Sequence, residues 1–392
     1  SRSSAASDVY KRQGITRAAN VTGLDRVGIP VYTAFRPLSR SVSVSQGKGS
    51  EPLAAKASAL MEAIESFHAE HITRPLIYGS MQTLSPQYAL ADTHNMARLR
   101  GRKLQPEDPV FWIEGNNLLE QNSCWLPLEP VSTDYTLPVQ KGSGYFAANT
   151  NGLASGNSIK EAICHAIYEV VERDAEALWR QSPAHMQAAT GIDAATIEDA
   201  NCRELLDRFA AAGIDVCIWD MSSDVGLPAY TCLVMGDEQD WADPEFGSGC
   251  HASREVALAR ALTEAAQARA TFIAGSRDDI GLGEYSDRQR RRRRREGRRQ
   301  MQAHRPERPF DQAETRDNPY IEDDLEQCLI KLRDAGIEQV ISVDLSKPEL
   351  GLSVVKVVIP GLEGAFGHGG NGYQPGLRAR KLLGLPFDLY AA

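Results

Sequence analysis

Nowhere does the chain contain a GxxxxGK[ST] run, which excludes the usual glycine-rich phosphate loop of nucleotide-binding proteins. CxxC pairs are missing too: the seven cysteines, at 124, 164, 202, 217, 232, 250 and 328, are odd in number and unpatterned. Such a set reads as reduced thiols and argues for a cytoplasmic protein. No apolar run is long enough to span a membrane, and the first residues lack a signal peptide's apolar core, so no membrane partner is expected. Positive charge is in deficit overall; the net charge of −9 counts against general affinity for nucleic acid, though not against a local patch. No internal repeat is evident. With 42% hydrophobic and 24% charged residues over 392 positions, the chain can still bury a substantial core, as one large domain or two.

Glutamates stand out among what is present. Glu62 and Glu65, then Glu161, Glu169 and Glu172, then Glu264 fall on three separate segments that read as helices. The first, SALMEAIES, follows Ser50-Glu51-Pro52, a helix start with Pro in the first turn, and Ser58, Glu62 and Glu65 share one stripe of a 3.6-residue period. The second opens at Ser158 and places Glu161, His165, Glu169 and Glu172 on one face. The third opens at Ser253 and aligns Arg260, Glu264 and Gln267, whereas Arg269 falls off that face. Unpaired carboxylates are costly to bury, so a set this dense points to a divalent metal. A solvated helix face is the competing reading for each segment, and Ser158 with Glu161 is also a plain capping box. Cys164, beside the second stripe, reads as packing. Two glycine-bearing stretches, Gln46-Gly47-Lys48-Gly49 and Asn151-Gly152-Leu153-Ala154-Ser155-Gly156-Asn157, precede the first and second helices. Read as turns, they would offer backbone N–H groups to an anion such as phosphate.

Strand-like runs at Val110 to Ile113, Ile214 to Trp219, Ala229 to Met235, Gln339 to Val343 and Val354 to Ile359 alternate with helical patterns. This predicts an α/β (α+β) fold with mixed sheets. Residues 1–13 do not fit the pattern of the rest of the chain and are set aside as a non-native tail, leaving one domain over 14–392. Within it a core over 14–280, an Arg-rich linker over 281–320 and a C-terminal lobe over 321–392 are expected. The linker carries six consecutive arginines, Arg290 to Arg295. Such a block self-repels and reads as a solvated helix or disordered linker, with an acidic leader peptide or nucleic acid as the other option. No aromatic residue that would stack on bases interrupts it. Gly367 to Gly372 reads as a flexible surface turn.

The runs ITRAANVTGLDRVGIPVYTAFRP, SVSVSQGKGSEPLAAKASALMEAIE, GLASGNSIKEAICHAIYEVVERDA and REVALARALTEAAQARATFIAGSRDD resemble the YcaO family of ATP-dependent, peptide-backbone-modifying enzymes. The likeness extends from about Ile15 to about Asp279 and returns at Val354 to Gly364. STDYTLP (Ser132 to Pro138) and EQVISVDLSKPELG (Glu338 to Gly351) are most similar to the subgroup that works with a TfuA partner to make thioamides. The resemblance implies three helices converging on ATP, with Mg2+ ions bridging carboxylates to phosphates. The metal ligands implied are Glu62, Glu65, Glu161, Glu169, Glu172 and Glu264. The nucleotide-binding residues implied are Lys48, Ser58, Asn157, Arg173, Gln267 and Arg269. Ser66 stands where the family motif has Arg, and Ala154 where some members have Ser.

The peptide bond is stiff, its carbonyl carbon a weak electrophile and its oxygen a poor leaving group. Phosphorylating that oxygen after nucleophilic attack turns it into a departing phosphate, and positioning plus electrostatics carry the catalysis. No covalent nucleophile on the enzyme is needed. For thioamide formation the nucleophile is sulfide supplied through a TfuA-like partner, and the substrate is a ribosomal precursor peptide or a protein. For azoline formation it is a Cys, Ser or Thr of the substrate itself. The chain ends LLGLPFDLYAA, without the PxPxP tail of many azoline-forming members, which favours the first. An adaptor or nucleic-acid-binding protein is the alternative of another class, and a homodimer is one open oligomeric state.

Overall fold

The computed structural model describes residues 12–385 except 100, 239, 241, 313, 314, 317 and 365–374. The stretch Gly367 to Gly372 and most of the segment set aside at the N-terminus therefore lie outside the described residues. Leaving aside helical pieces of five residues or fewer, the first elements in chain order are β1 Arg17–Asn20, β2 Val31–Phe35, β3 Val44–Lys48, α1 Pro52–Glu70, β4 Leu76–Gly79, β5 Val110–Asn117, β6 Asn122–Pro127 and β7 Leu153–Gly156. Next come α2 Ile159–Gln181, α3 Ala200–Ala211, β8 Ile214–Asp220, β9 Ala229–Gly236, β10 Glu245–Cys250, α4 Arg254–Ala274 and α5 Asp287–Ala303. Last are α6 Ile321–Asp334, β11 Ile341–Asp344, β12 Ser353–Val358 and α7 Leu377–Leu383. Every ladder between these strands is antiparallel, and parallel pairing among the described residues enters only as isolated bridges at Leu90 with Trp125 and Ile192 with Arg308. The mixed α and β class is as expected; the strand direction is not the mixed one foreseen, because most ladders join strands that follow one another in the chain.

Two compact units make up the chain. One comprises Ser1–Ile64, Ser182–Ser222 and Leu227–Asp317, the other Glu65–Gln181, Ser223–Gly226 and Asn318–Ala392. Both are discontinuous, unlike the linear succession of core, linker and lobe expected from composition.

In the first unit, β1-β2-β3 and β10-β9-β8 form separate three-stranded sheets. Helix α4 starts where Ser253 accepts a hydrogen bond from the Val256 N–H, and it ends at Gly275, whose φ of 56° suits a residue without a Cβ. Its alanines 257, 261 and 265 are buried, and β10 comes so close that a Cβ on Gly247 would sit 2.1 Å from the Ala261 carbonyl oxygen. Phe209 of α3, Ile214 and Ile218 of β8, Tyr230 of β9, and Leu258 and Leu262 of α4 share the core. Each such side chain contributes roughly 1.5–3 kcal/mol when fully buried.

The arginine run is a helix, one of the two forms expected of it, within the stretch read as a linker. Ser286 caps α5 at the Gln289 N–H, Arg290 and Arg293 pair with the buried Asp243, and Arg293 also meets Glu284. Arg294 donates to the Asp240 and Asp237 carbonyls. The helix survives its charge because one face is neutralised by these acids and carbonyls while Arg288, Arg291, Arg292, Arg295 and Arg299 are exposed to water.

The second unit is built on a sheet ordered β4-β5-β11-β12-β7, with β6 paired to β5. Helix α2 covers β7 and β12, burying Ile163, Ile167, Tyr168 and Val171, and α6 packs on α2. Strand β12 reads SVVKVV and is buried at Val354, Val355, Lys356 and Val357. No helix among the described residues is long and apolar enough to cross a membrane.

Candidate functional site

Each glycine-bearing stretch is largely strand, the second entered through a turn at Asn151 and Gly152. Lys48 is the last residue of β3, and a Cβ on Gly47 would lie 2.0 Å from the Ala59 nitrogen and 2.2 Å from the Ala55 oxygen. Gly47 is thus needed for the close approach of β3 to α1, not for phosphate access. Likewise Leu153–Gly156 is β7, and Gly152, at φ 77°, lies where a Cβ would meet the Val357 oxygen at 2.3 Å.

What these strands do is present donors to the glutamates. In the first unit the Gln46 N–H donates to Glu62 at 3.1 Å, and the Lys48 ammonium pairs with Glu264. The buried Gln46 side chain is fixed in turn by the Thr271 hydroxyl. In the second unit the Ser155 hydroxyl donates to Glu65, the Gly152 N–H to Glu169 at 3.3 Å, and the Asn157 N–H to Glu161 at 2.9 Å. The His165 ring contacts the Ser155 carbonyl at 3.3 Å. Strand β7 and the residues flanking it therefore address a carboxylate from α1 and two from α2. Glu172, one turn on, is buried and stands 3.8 Å from the Arg173 guanidinium, which also meets Glu176 at 3.4 Å.

Expected site residues fare differently. Glu161 shows half of the predicted capping box: Ser158 accepts from its N–H at 3.2 Å, while its carboxylate takes the backbone and side-chain amides of Asn157, one residue earlier. Gln267 is half-buried on the α4 stripe one turn beyond Glu264. Arg269 is a correction. Its guanidinium is fully buried, donating from Nε to Asp25 at 2.8 Å and from a terminal nitrogen to Asp240 at 2.9 Å, with further bonds to both carboxylates. Four hydrogen bonds to two carboxylates within its own unit take up four of the five guanidinium donors, and the side chain is wholly buried, so Arg269 holds the fold. Burial would raise the Asp240 carboxyl, but the hydrogen bonds and charge of Arg269 outweigh it and hold that group below its ordinary value. Ser155, not foreseen, provides the hydroxyl that Ala154 lacks. Its signal was available: it sits one residue along in the same GLASGNS run. Cys164 packs as expected, its thiol pushed up by burial.

A cleft of about 560 Å3 opens in the first unit, lined by Lys48, Ser58, Asp199, Glu255, Arg260 and Thr263 among others. Its size suits a small-molecule ligand. Among the described residues no three carboxylate, imidazole or thiol side chains form a ready-made metal cage. Mg2+ does not need one, because it is ordinarily held by one or two carboxylates together with phosphate oxygens and waters. Hard oxygen donors on α1, α2 and α4 are the appropriate kind.

Lys356 was also missed. It lies wholly inside the second unit, donating to the Asn149 carbonyl, and burial drives its ammonium down to about 7 although Glu169 pulls the other way. Between about 7 and the ordinary 10.5 the unfolded lysine binds a proton that the folded one does not, so stability should rise with pH across that window and flatten below it. Urea midpoints measured from pH 7 upward should climb in the wild type and lose this slope in Lys356→Met. An unchanged slope would place the effect on other groups.

The same residues fall within a known family. The family model described as YcaO cyclodehydratase, ATP- and Mg2+-binding, matches residues 46–363. An uncharacterised protein from the tfuA 3′ region of Rhizobium leguminosarum bv. trifolii is 35% identical over 357 residues, covering 89% of this chain and 84% of that protein. In fold, the chain is similar to YcaO from Methanopyrus kandleri bound with AMPPCP and Mg2+, with a TM-score of 0.70, 22% identity and coverage of 91% and 88%. A heterocyclase in complex with substrate and cofactor gives 0.74 at 20% identity, covering 91% of this chain and about half, 52%, of that one. The chain belongs to the YcaO cyclodehydratase family, as an ATP-dependent enzyme whose cofactors are ATP and Mg2+.

Proposed function

We propose that this enzyme activates a peptide backbone amide with ATP and forms a thioamide, using sulfide delivered by a TfuA-like partner on a precursor peptide or protein. The observation that carries the thioamide reading is the 35% identity, across 89% of the chain, to a protein encoded beside tfuA. Hydrosulfide attacks the carbonyl carbon and the amide oxygen takes the γ-phosphoryl group of ATP. The C–O bond then breaks, leaving C=S, ADP and phosphate, with the sulfide proton ending on phosphate. Mg2+ supplies charge neutralisation at the transferred phosphoryl group. Glu62, Glu65, Glu161, Glu169, Glu172 and Glu264 are the proposed metal ligands, and Lys48, Ser58, Asn157, Arg173 and Gln267 the proposed nucleotide contacts.

Azoline formation is the second reading, favoured by the family description as a cyclodehydratase. Intact-mass analysis separates them. Incubating a candidate peptide with the protein, ATP, Mg2+, sulfide and a TfuA-like protein should add about 16 Da, the exchange of amide O for S, only when ATP and sulfide are both present. A loss of about 18 Da without sulfide would replace the thioamide reading by dehydration of the backbone amide.

A further inference from the structure

Helix α5 leaves one face unused. On a 3.6-residue period Arg288, Arg291, Arg292, Arg295 and Arg299 fall within an arc of about 100°, opposite Gly297, and run about 16 Å along the axis. All five are exposed, and none pairs with a carboxylate among the described residues. The opposite face holds the helix in place. Gly297 is buried so near Pro244 that a Cβ there would lie 2.7 Å from the proline Cβ, Arg293 meets Asp243 at 3.1 Å, and Arg294 donates to the Asp240 carbonyl at 3.1 Å. Guanidinium groups three and four residues apart repel one another, so the outer stripe opposes the helix it lies on. A ligand of negative charge would relieve that repulsion.

A lasting interface between globular proteins has an apolar centre and buries about 1,000 Å2 or more, whereas this stripe is guanidinium alone. It suits a charged segment that is held and then released. Nucleic acid fits it poorly: α5 has no aromatic side chain to stack on bases, Glu296 and the Arg298–Glu238 pair border the stripe, and the whole chain carries a net charge of −9. An acidic peptide segment is narrow enough to follow one helix face, and its carboxylates accept two hydrogen bonds at once from a guanidinium fork. We propose that this stripe docks an acidic segment of the peptide or protein substrate and tethers it to the unit that carries Glu264, a role that rests on the reading of the enzyme as one that acts on a peptide backbone.

Fluorescence anisotropy of a labelled oligoglutamate peptide with the full chain tests it, without ATP, Mg2+ or sulfide. The wild type should bind the probe, and affinity should fall steeply as salt rises from about 0.01 to about 0.15 M and the screening length shrinks from about 30 to about 8 Å. The triple variant Arg291→Gln, Arg292→Gln, Arg295→Gln should bind about 10-fold more weakly, with its melting temperature unmoved or raised. Should that variant prove unstable, Arg295→Glu sets a carboxylate one turn from both Arg291 and Arg299, which favours the helix, and a similar loss of affinity is expected. A wild type that ignores oligoglutamate, or variants that bind it as tightly, would overturn the docking surface even if the mass analysis shows a modified peptide. Tighter binding of a single-stranded RNA of equal charge, lost in the same variants, would overturn it in favour of nucleic acid. Oligoglutamate binding that the variants lose, with no peptide modified in the mass analysis, would keep the acidic-peptide surface and remove the thioamide reading.

Discussion

Glu172→Gln should abolish most ATP turnover, by about 100-fold or more, while the nucleotide-free protein melts within about 4 °C of the wild type. The two halves of this result belong together. Glu172 is 3% exposed, and glutamine keeps its shape while removing a buried anion, whose desolvation costs several kcal/mol unless compensated. If the carboxylate serves Mg2+, its loss strips charge from the metal site without harming the fold. If it serves only to pair with Arg173, stability should fall and turnover should track the folded fraction. Steady-state phosphate release with a melting curve on the same sample separates the two. Glu161→Gln is a useful contrast, since that carboxylate also accepts from Asn157 at the head of α2 and its loss should cost some helix-capping stability.

Helices α1, α2 and α4 were legible because each carries a start signal and a sustained 3.6-residue pattern, at Pro52, Ser158 and Ser253. The strands that were recognised, β5, β8, β9, β11 and β12, are apolar runs. Those that were missed are short, like β1 and β4, or rich in small residues, like β3, β7 and β10. In the last group the glycines that normally punctuate turns are there for close approach: Gly47 to α1, Gly247 and Gly249 to α4. Nothing local distinguishes the two uses, because the partner that forbids a Cβ is remote in sequence. The choice between helix and linker for the arginine run was open for a related reason: its inner face is neutralised by Asp243, more than forty residues away. The carboxylates themselves stand out in the sequence by their spacing; the donors that hold them, Gln46, Gly152 and Ser155, depend on strand geometry.

The sharpest divergence between motif and structure is at Arg269, and its replacement by methionine should cost about 3–5 kcal/mol, the usual penalty for removing one partner of a buried ion pair. Here the penalty falls on two carboxylates: Asp25 and Asp240, 7% and 5% exposed at their side chains, would be left without the guanidinium that satisfies them both. At roughly 2–4 °C per kcal/mol, a fall of about 6–20 °C is expected in the melting temperature. Arg269→Lys should recover only part of it, since a compact ammonium cannot fork between the two acids. Acid supplies an independent check. The Asp240 carboxyl is held below its ordinary value, so its contribution is present above about pH 4 and disappears as pH falls through the lowered value. The wild type should therefore lose stability toward low pH more steeply than Arg269→Met, in which that depression is gone. Had Arg269 instead contacted phosphate, its variants would lose Mg·ATP affinity at unchanged melting temperature and unchanged acid slope, and the guanidinium would have to be returned to the site.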